Sequence, residues 1–229
     1  MAGQSAEHGR RLLEHREFIA VDLAADRLGQ PVDASRSLAF EHFPSDLGDR
    51  QLCDAAVGWI TSLPTIHPAD EVVSRAAHLA QVFRARGLPV TLVRVAFASD
   101  GGDTVAVPVD EQPPRMDLGP NFATYRSEIG TGPTDIEITK RGWDGFFGTE
   151  LDLQLRRRGV RCIVLAGIRT AIAVESTART GFALNYAQVV AGDAISDTSA
   201  EAHDNSVRRV LPRLSRLATT EAIIGALST

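Results

Sequence analysis

Residues 161–167, RCIVLAG, constrain the fold more than any other stretch. After one arginine the run is apolar up to its closing glycine, with no alternation of polar side chains. It is too short for a buried helix, and a continuous apolar run of this kind reads as a strand covered on both faces. Such strands belong to parallel sheets, whose neighbours are joined by crossovers, usually helices, and not by hairpins. The rest of the chain should therefore alternate helices with strands.

It does so from about residue 68. The segment HPADEVVSRAAHLAQVFRARG places Val72, Val73, Ala76, Leu79, Ala80 and Phe83 on one helical face. Asp70 and Glu71 open that helix, Arg84 and Arg86 close it, and Gly87 stops it, in keeping with the helix dipole and C-cap preferences. VTLVRV (90–95) and DIEITK (135–140) read as strands. GTELDLQLRRRG reads as a short helix with Thr149 as N-cap and Gly159 as terminator, which makes Arg156–Arg158 a solvated helix end. A further helix from about Thr170 carries the pair Glu175 and Arg179. AQVVAGDA is another strand, 199–217 a helix kinked at Pro212, and EAII (221–224) a last short strand. The stretch 98–133 has no clear period. Residues 1–48 fit the alternation poorly, apart from the strand-like EFIAVDLAADRLG ending near Asp22, and read as an N-terminal extension to a domain at 49–229.

Composition narrows the function. The net charge of −5, from 24 basic and 29 acidic residues, argues against a nucleic-acid partner, which calls for a basic face. No apolar stretch reaches membrane-spanning length, and the first residues lack a secretory signal's apolar core, so a cytoplasmic location with no membrane partner is expected. Two cysteines, Cys53 and Cys162, cannot build a disulfide framework. Phosphate-binding glycine motifs and the nucleophile elbow GxSxG are absent, and the six histidines show no metal-ligand spacing. The reading therefore expects no cofactor and no metal.

In a mostly parallel sheet the ligand sits beyond the carboxyl ends of the strands. That rule selects Lys140, which ends one strand, and residues 167–173, which link RCIVLAG to its helix. Lys140 opens KRGWDGFFGTELD, where Trp143, Phe146 and Phe147 are unusually apolar for a loop. The turn at 167–173 is an anion site by position, because backbone N–H groups at a helix start point outward with the dipole behind them. A cysteine there would have a depressed pKa. This chain has Ala173 instead.

The block ITKRGWDGFFGTELDLQLRRRGVRCIVLAGIRTAIAVESTAR resembles the isochorismatase-like hydrolase superfamily, and the similarity extends over about residues 50–225. The resemblance implies a Rossmann-like three-layer α/β/α fold and an Asp–Lys–Cys triad beside a cis peptide. The lysine carries onto Lys140, the cysteine onto Ala173, 33 positions later, and the cis peptide onto Ile168–Arg169. Two aspartates compete for the acid. Strand character favours Asp22; spacing from Lys140, together with Gly58, favours Asp54, although Ala56 stands where the family has Gln. Asp54 is taken as the acid. Trp143, Phe147, Ile168 and Arg169 are expected to bind the substrate, with Arg169 suited to a carboxylate.

Some members of the superfamily also lack the cysteine, because hydrolysing a vinyl ether needs a general acid and not a nucleophile. The leading expectation is thus a hydrolase of a small, anionic metabolite, working through Asp54 and Lys140 and assembling as a homo-oligomer, a dimer or larger. The alternatives are an amidase whose nucleophile Ala173 replaces, or a silent small-molecule-binding homologue.

Overall fold

The computed structural model describes residues 65–111 and 123–227, together with the backbone of 16–23. Six strands form one parallel sheet in the order β3-β2-β1-β4-β5-β6. They are β1 (Arg16–Leu23), β2 (Val90–Val95), β3 (Ile136–Lys140), β4 (Val160–Ile168), β5 (Ala187–Ser196) and β6 (Arg216–Ala218). The helices are α1 (Ala69–Ala85), α2 (Leu151–Arg157), α3 (Glu175–Ala183), α4 (Ala200–Asn205) and α5 (Thr220–Ala226).

The run that anchored the sequence reading is β4. Every residue from Cys162 to Ile168 is buried, as a strand covered on both faces requires. α1 packs against α5, β2, β4 and β5, while α2 packs on β4 and α3 on β5. α1 buries Val72, Val73, Ala76, Ala77, Leu79, Ala80 and Phe83, the stripe its spacing predicts. Gly87 and Gly159 both take positive φ, 69° in each case, where α1 and α2 end. Thr149 lies one residue outside the cap of α2, yet its Oγ1 accepts from Leu151 N at 3.2 Å. At the other end Arg156 pairs with Asp152, so the arginine run is a helix end and not a binding patch. The Arg179–Glu175 pair on α3 is also present.

Three expectations differ from the structure. β1 lies within the stretch set apart as an extension, yet it pairs with β2 on one side and with β4 on the other. Its apolar residues interrupt no helix pattern, so periodicity alone offered no partner for it. The helix expected over 199–217 is broken into α4, a π-helical turn (Ser206–Val210) and a 3-10 turn (Leu211–Arg213), and then gives way to β6. Pro212 lies in that 3-10 turn, where it ends the helix outright instead of kinking it. EAII, expected as a strand, lies in α5, whose Thr219 cap accepts from Ala222 N.

The packing of α3 on β5 is close enough to test. A Cβ on Gly181 would stand 2.7 Å from Gln188 Oε1, and Gln188 Nε2 is already committed to the carbonyls of Ala178 and Leu214. Gly181→Ala should therefore lower stability by about 1–3 kcal/mol despite the better helix propensity of alanine. Gly225→Ala in α5, with nothing within 4 Å of the new methyl, should leave stability unchanged or raise it by up to about 1 kcal/mol. Urea unfolding of the two variants beside the parent measures both effects.

Candidate active site

The turn that follows β4 packs against β1, β4 and β5, while β3 lies two strands from β1, on the side away from β4. Lys140 is the last residue of β3 and is 1% exposed. Its ammonium donates to the carbonyl of Trp143, and its own carbonyl accepts from Ala96 N at 3.3 Å. Burial pushes its pKa down to about 7, against the pull of Asp144. Asp144 in turn holds the loop after β3: it accepts from Phe146 N and from the Thr180 hydroxyl on α3. Gly145 N donates to Thr177 Oγ1 at 2.9 Å, a second tie from the same loop to the same helix.

β4 ends at Ile168, just after Gly167 with its φ of 135°, and a cis peptide joins Ile168 to Arg169 at the position the resemblance implied. A π-helical turn, Thr170–Val174, then leads into α3. Such turns recur at functional sites. Here the Arg169 carbonyl accepts both from Ala173 N at 2.8 Å and from Val174 N at 3.2 Å. The open row of amide donors expected at 167–173 is thus partly spent: Ala171 N is taken as well, by Asp197 Oδ2 at 2.7 Å. Ala173, onto which the resemblance carried the cysteine, is fully buried.

In β1, Asp22 is in register with Gly167, and Leu23 with Ile168, so the backbone at Asp22 reaches the same edge of the sheet as the turn. Asp54 and Cys53 lie outside the described residues.

Two groups of residues expected to bind substrate are placed otherwise. Trp143 and Phe147 are 65% and 84% exposed, and of the three loop aromatics only Phe146 turns inward, stacking on Tyr186. The Arg169 guanidinium is ion-paired within the chain: its Nε donates to Asp197 Oδ1 at 3.0 Å. Asp197 is fully buried and also accepts from Thr198 N at 2.7 Å. An open cleft of about 560 Å³ is lined by Arg94, Ala96, Ala123, Thr124, Tyr125 and Thr131 beside the end of β2. None of the described residues expected at the site lines it. Among the described residues, no group of three or more His, Cys, Asp or Glu could hold a metal ion, and no helix is long and apolar enough to cross a membrane.

Asp197, Thr170, His203 and His67 were not singled out by the sequence. Thr170 Oγ1 lies 2.9 Å from His203 Nδ1, and His203 meets His67 edge to face at 5.3 Å. Only the fold joins these positions, and no spacing in the sequence could have shown it. Burial, with His67 nearby, pushes the His203 pKa down to about 4, while Asp197 and Asp204 oppose the shift.

Lys140 and His203 give stability a definite pH dependence. The unfolded chain protonates His203 near 6.5, the folded chain only near 4. The His203 contribution to stability is therefore full above about pH 6.5 and is lost as the pH drops towards 4, by roughly 2–3 kcal/mol. Lys140 acts in the same sense at higher pH: the unfolded chain keeps its proton to about 10.5 and the folded chain releases it near 7, so stability rises across that interval. Urea midpoints measured at about pH 5, 7 and 9 should climb with pH. The acid limb should flatten in His203→Asn and the alkaline rise in Lys140→Met. Limbs that persist in these variants would assign the titrations to other groups.

The comparisons agree with this arrangement of strands and turn. The isochorismatase domain model matches residues 52–222, a span that includes Asp54, Lys140 and Ala173 and leaves Asp22 outside. The isochorismatase family protein YecD of Escherichia coli O157:H7 is 48% identical over 161 residues, which is 70% of this chain and 86% of the relative. The ureidoacrylate amidohydrolase RutB of Stutzerimonas stutzeri (strain A1501) is 45% identical over 74 residues, 32% of this chain and 30% of its own. The structure of an isochorismatase family protein from Burkholderia thailandensis superposes with a TM-score of 0.74 at 33% identity, covering 94% of this chain and 96% of that one. With a matched family domain over most of its length and that sheet beneath its turn, the chain belongs to the isochorismatase-like hydrolase family.

Proposed function

We propose that this hydrolase acts on a small metabolite without a covalent intermediate, an aspartate serving as general acid and base and Lys140 as its electrostatic partner. The observation that carries the reading is the turn itself. Residue 173 is alanine, and the one hydroxyl among residues 170–174, that of Thr170, is buried against His203. A reaction at this turn has no nucleophile to use. Hydrolysis of a vinyl ether needs none: the acid protonates the double-bond carbon, water adds to the resulting oxocarbenium ion, and the carboxylate takes the water's proton. The hemiketal then collapses to a ketone and an alcohol. Lys140, buried and titrating near neutrality, would favour the carboxylate once its proton has gone.

For the acid, Asp54 is supported by its spacing from Lys140 and by lying inside the matched domain. The register of β1 with β4 supports Asp22. A second reading, an amidase whose nucleophile is replaced by Ala173, is favoured by the local similarity to RutB. Either reading includes a homo-oligomer in the cytoplasm, and the exposed rings of Trp143 and Phe147 suit contact between copies.

A turnover screen separates these possibilities. The parent should hydrolyse a vinyl ether, and the rate should fall by roughly 10²–10⁴-fold in Lys140→Met and in the Asn variant of whichever aspartate is the acid. Asp54→Asn and Asp22→Asn are compared side by side. Hydrolysis of a ureido or amide substrate gained only in Ala173→Cys would support the amidase reading. A parent that binds but turns over neither class is a binding protein, and the proposal fails.

A further inference from the structure

Three consecutive residues of the turn are held by one short segment of the chain. Asp197 accepts from Arg169 Nε and from Ala171 N, and between them Thr170 meets His203. One turn later the Ser206 hydroxyl donates to Glu175 Oε2 at 2.6 Å. Residues 197–206 thus run as a brace alongside 169–175. Most of these ties are to a charged group; the one at the centre joins a hydroxyl to an imidazole.

The direction of that central bond follows from counting donors. Thr170 is fully buried, and His203 is the partner its hydroxyl has among the described residues. If Nδ1 carried the proton, the Thr170 O–H would be left buried with nothing to donate to, at a cost of about 1–3 kcal/mol. The arrangement that leaves no buried donor unpaired has Thr170 donating, His203 Nδ1 accepting, and the imidazole proton on Nε2, which is not among the buried atoms that lack a partner. His203 is neutral around pH 7, which this arrangement requires. His67 has the opposite tautomer, because its Nδ1 lies 2.9 Å from the Ile195 carbonyl, which can only accept. His67 itself is tied to the end of β5, its backbone N donating to Ser196 Oγ at 2.9 Å, so the ring behind His203 is anchored.

We propose that His203 is a positioning residue for the reaction, holding the turn that presents residue 173 by accepting the Thr170 hydroxyl at Nδ1. This inference rests on the reading of that turn as the reacting one. The residue touches no reacting atom; it acts through Thr170.

The test is made on the intact protein at about pH 7. Long-range 1H–15N correlation of the imidazoles should show His203 protonated on Nε2 with a bare, hydrogen-bonded Nδ1, and His67 protonated on Nδ1. A His203 protonated on Nδ1 would overturn the proposal. Hydrogen exchange reads the positioning. In His203→Leu and in the near-isosteric Thr170→Val, the amides of Ala171, Ala173 and Val174 should exchange about tenfold faster, the equivalent of one lost hydrogen bond. Amides of α1 and β4 should keep their parental rates. His203→Asn, which keeps an acceptor near the Nδ1 position, and Thr170→Ser should restore protection at the turn. Unchanged exchange in Thr170→Val, or acceleration spread evenly over the protein, would show that the pair does not position the turn. Absence of turnover in the parent would instead count against the proposed function alone, since the exchange and tautomer measurements do not depend on it.

Discussion

The buried carboxylate of Asp197 sets the terms for everything around the candidate site. A carboxylate with no exposure is costly unless its charge is paired and its lone pairs are filled. Asp197 meets that demand with one guanidinium and two backbone N–H groups, those of Ala171 and Thr198. Two of the three donors belong to the turn after β4, so the turn cannot shift without leaving the charge unpaired. Removing either side strands the other, and a buried pair of this kind holds a geometry more firmly than it adds net stability. The backbone of Asp197 extends the same anchor, its carbonyl accepting from Ile66 N at 2.9 Å just ahead of α1.

That anchor also takes up part of the Arg169 guanidinium. Its side chain is mostly buried and its charge is already matched. In the sequence Arg169 stands beside the expected cis peptide and reads as a free cation, while its partner is 28 positions away. An arginine at a site edge reveals its charge to a sequence reader but not its partner, and the partner decides what it can bind.

The elements that were legible share one property: their signal is local and repeated. The apolar run of β4, the stripe of α1 and the glycine stops at 87 and 159 each follow from a few neighbouring residues obeying one period. So does Lys140, placed at a strand end by the residues before it. The elements that were missed depend on contacts between distant segments. β6 has three residues, and its parallel pairing with β5, from Arg216 beside Val189 onward, outweighs a helical pattern that Val207, Val210, Leu211, Leu214 and Leu217 otherwise satisfy. Trp143 and Phe147 were read by hydrophobicity alone, which cannot tell a ring turned inward from its exposed neighbour; Phe146 is the one turned inward.

The same division bears on the chemistry. A lysine left at a strand end is held in place by the sheet, whatever stands at position 173, and Lys140 remains buried with its pKa close to neutrality. The turn likewise keeps its shape through 197–206, a segment that makes no use of a side chain at 173. An alanine at 173 is therefore compatible with an intact framework around the turn. The proposed mechanism still asks for a carboxylate, from Asp54 or Asp22, and of these the backbone of Asp22 lies in register with Gly167 near the end of β4.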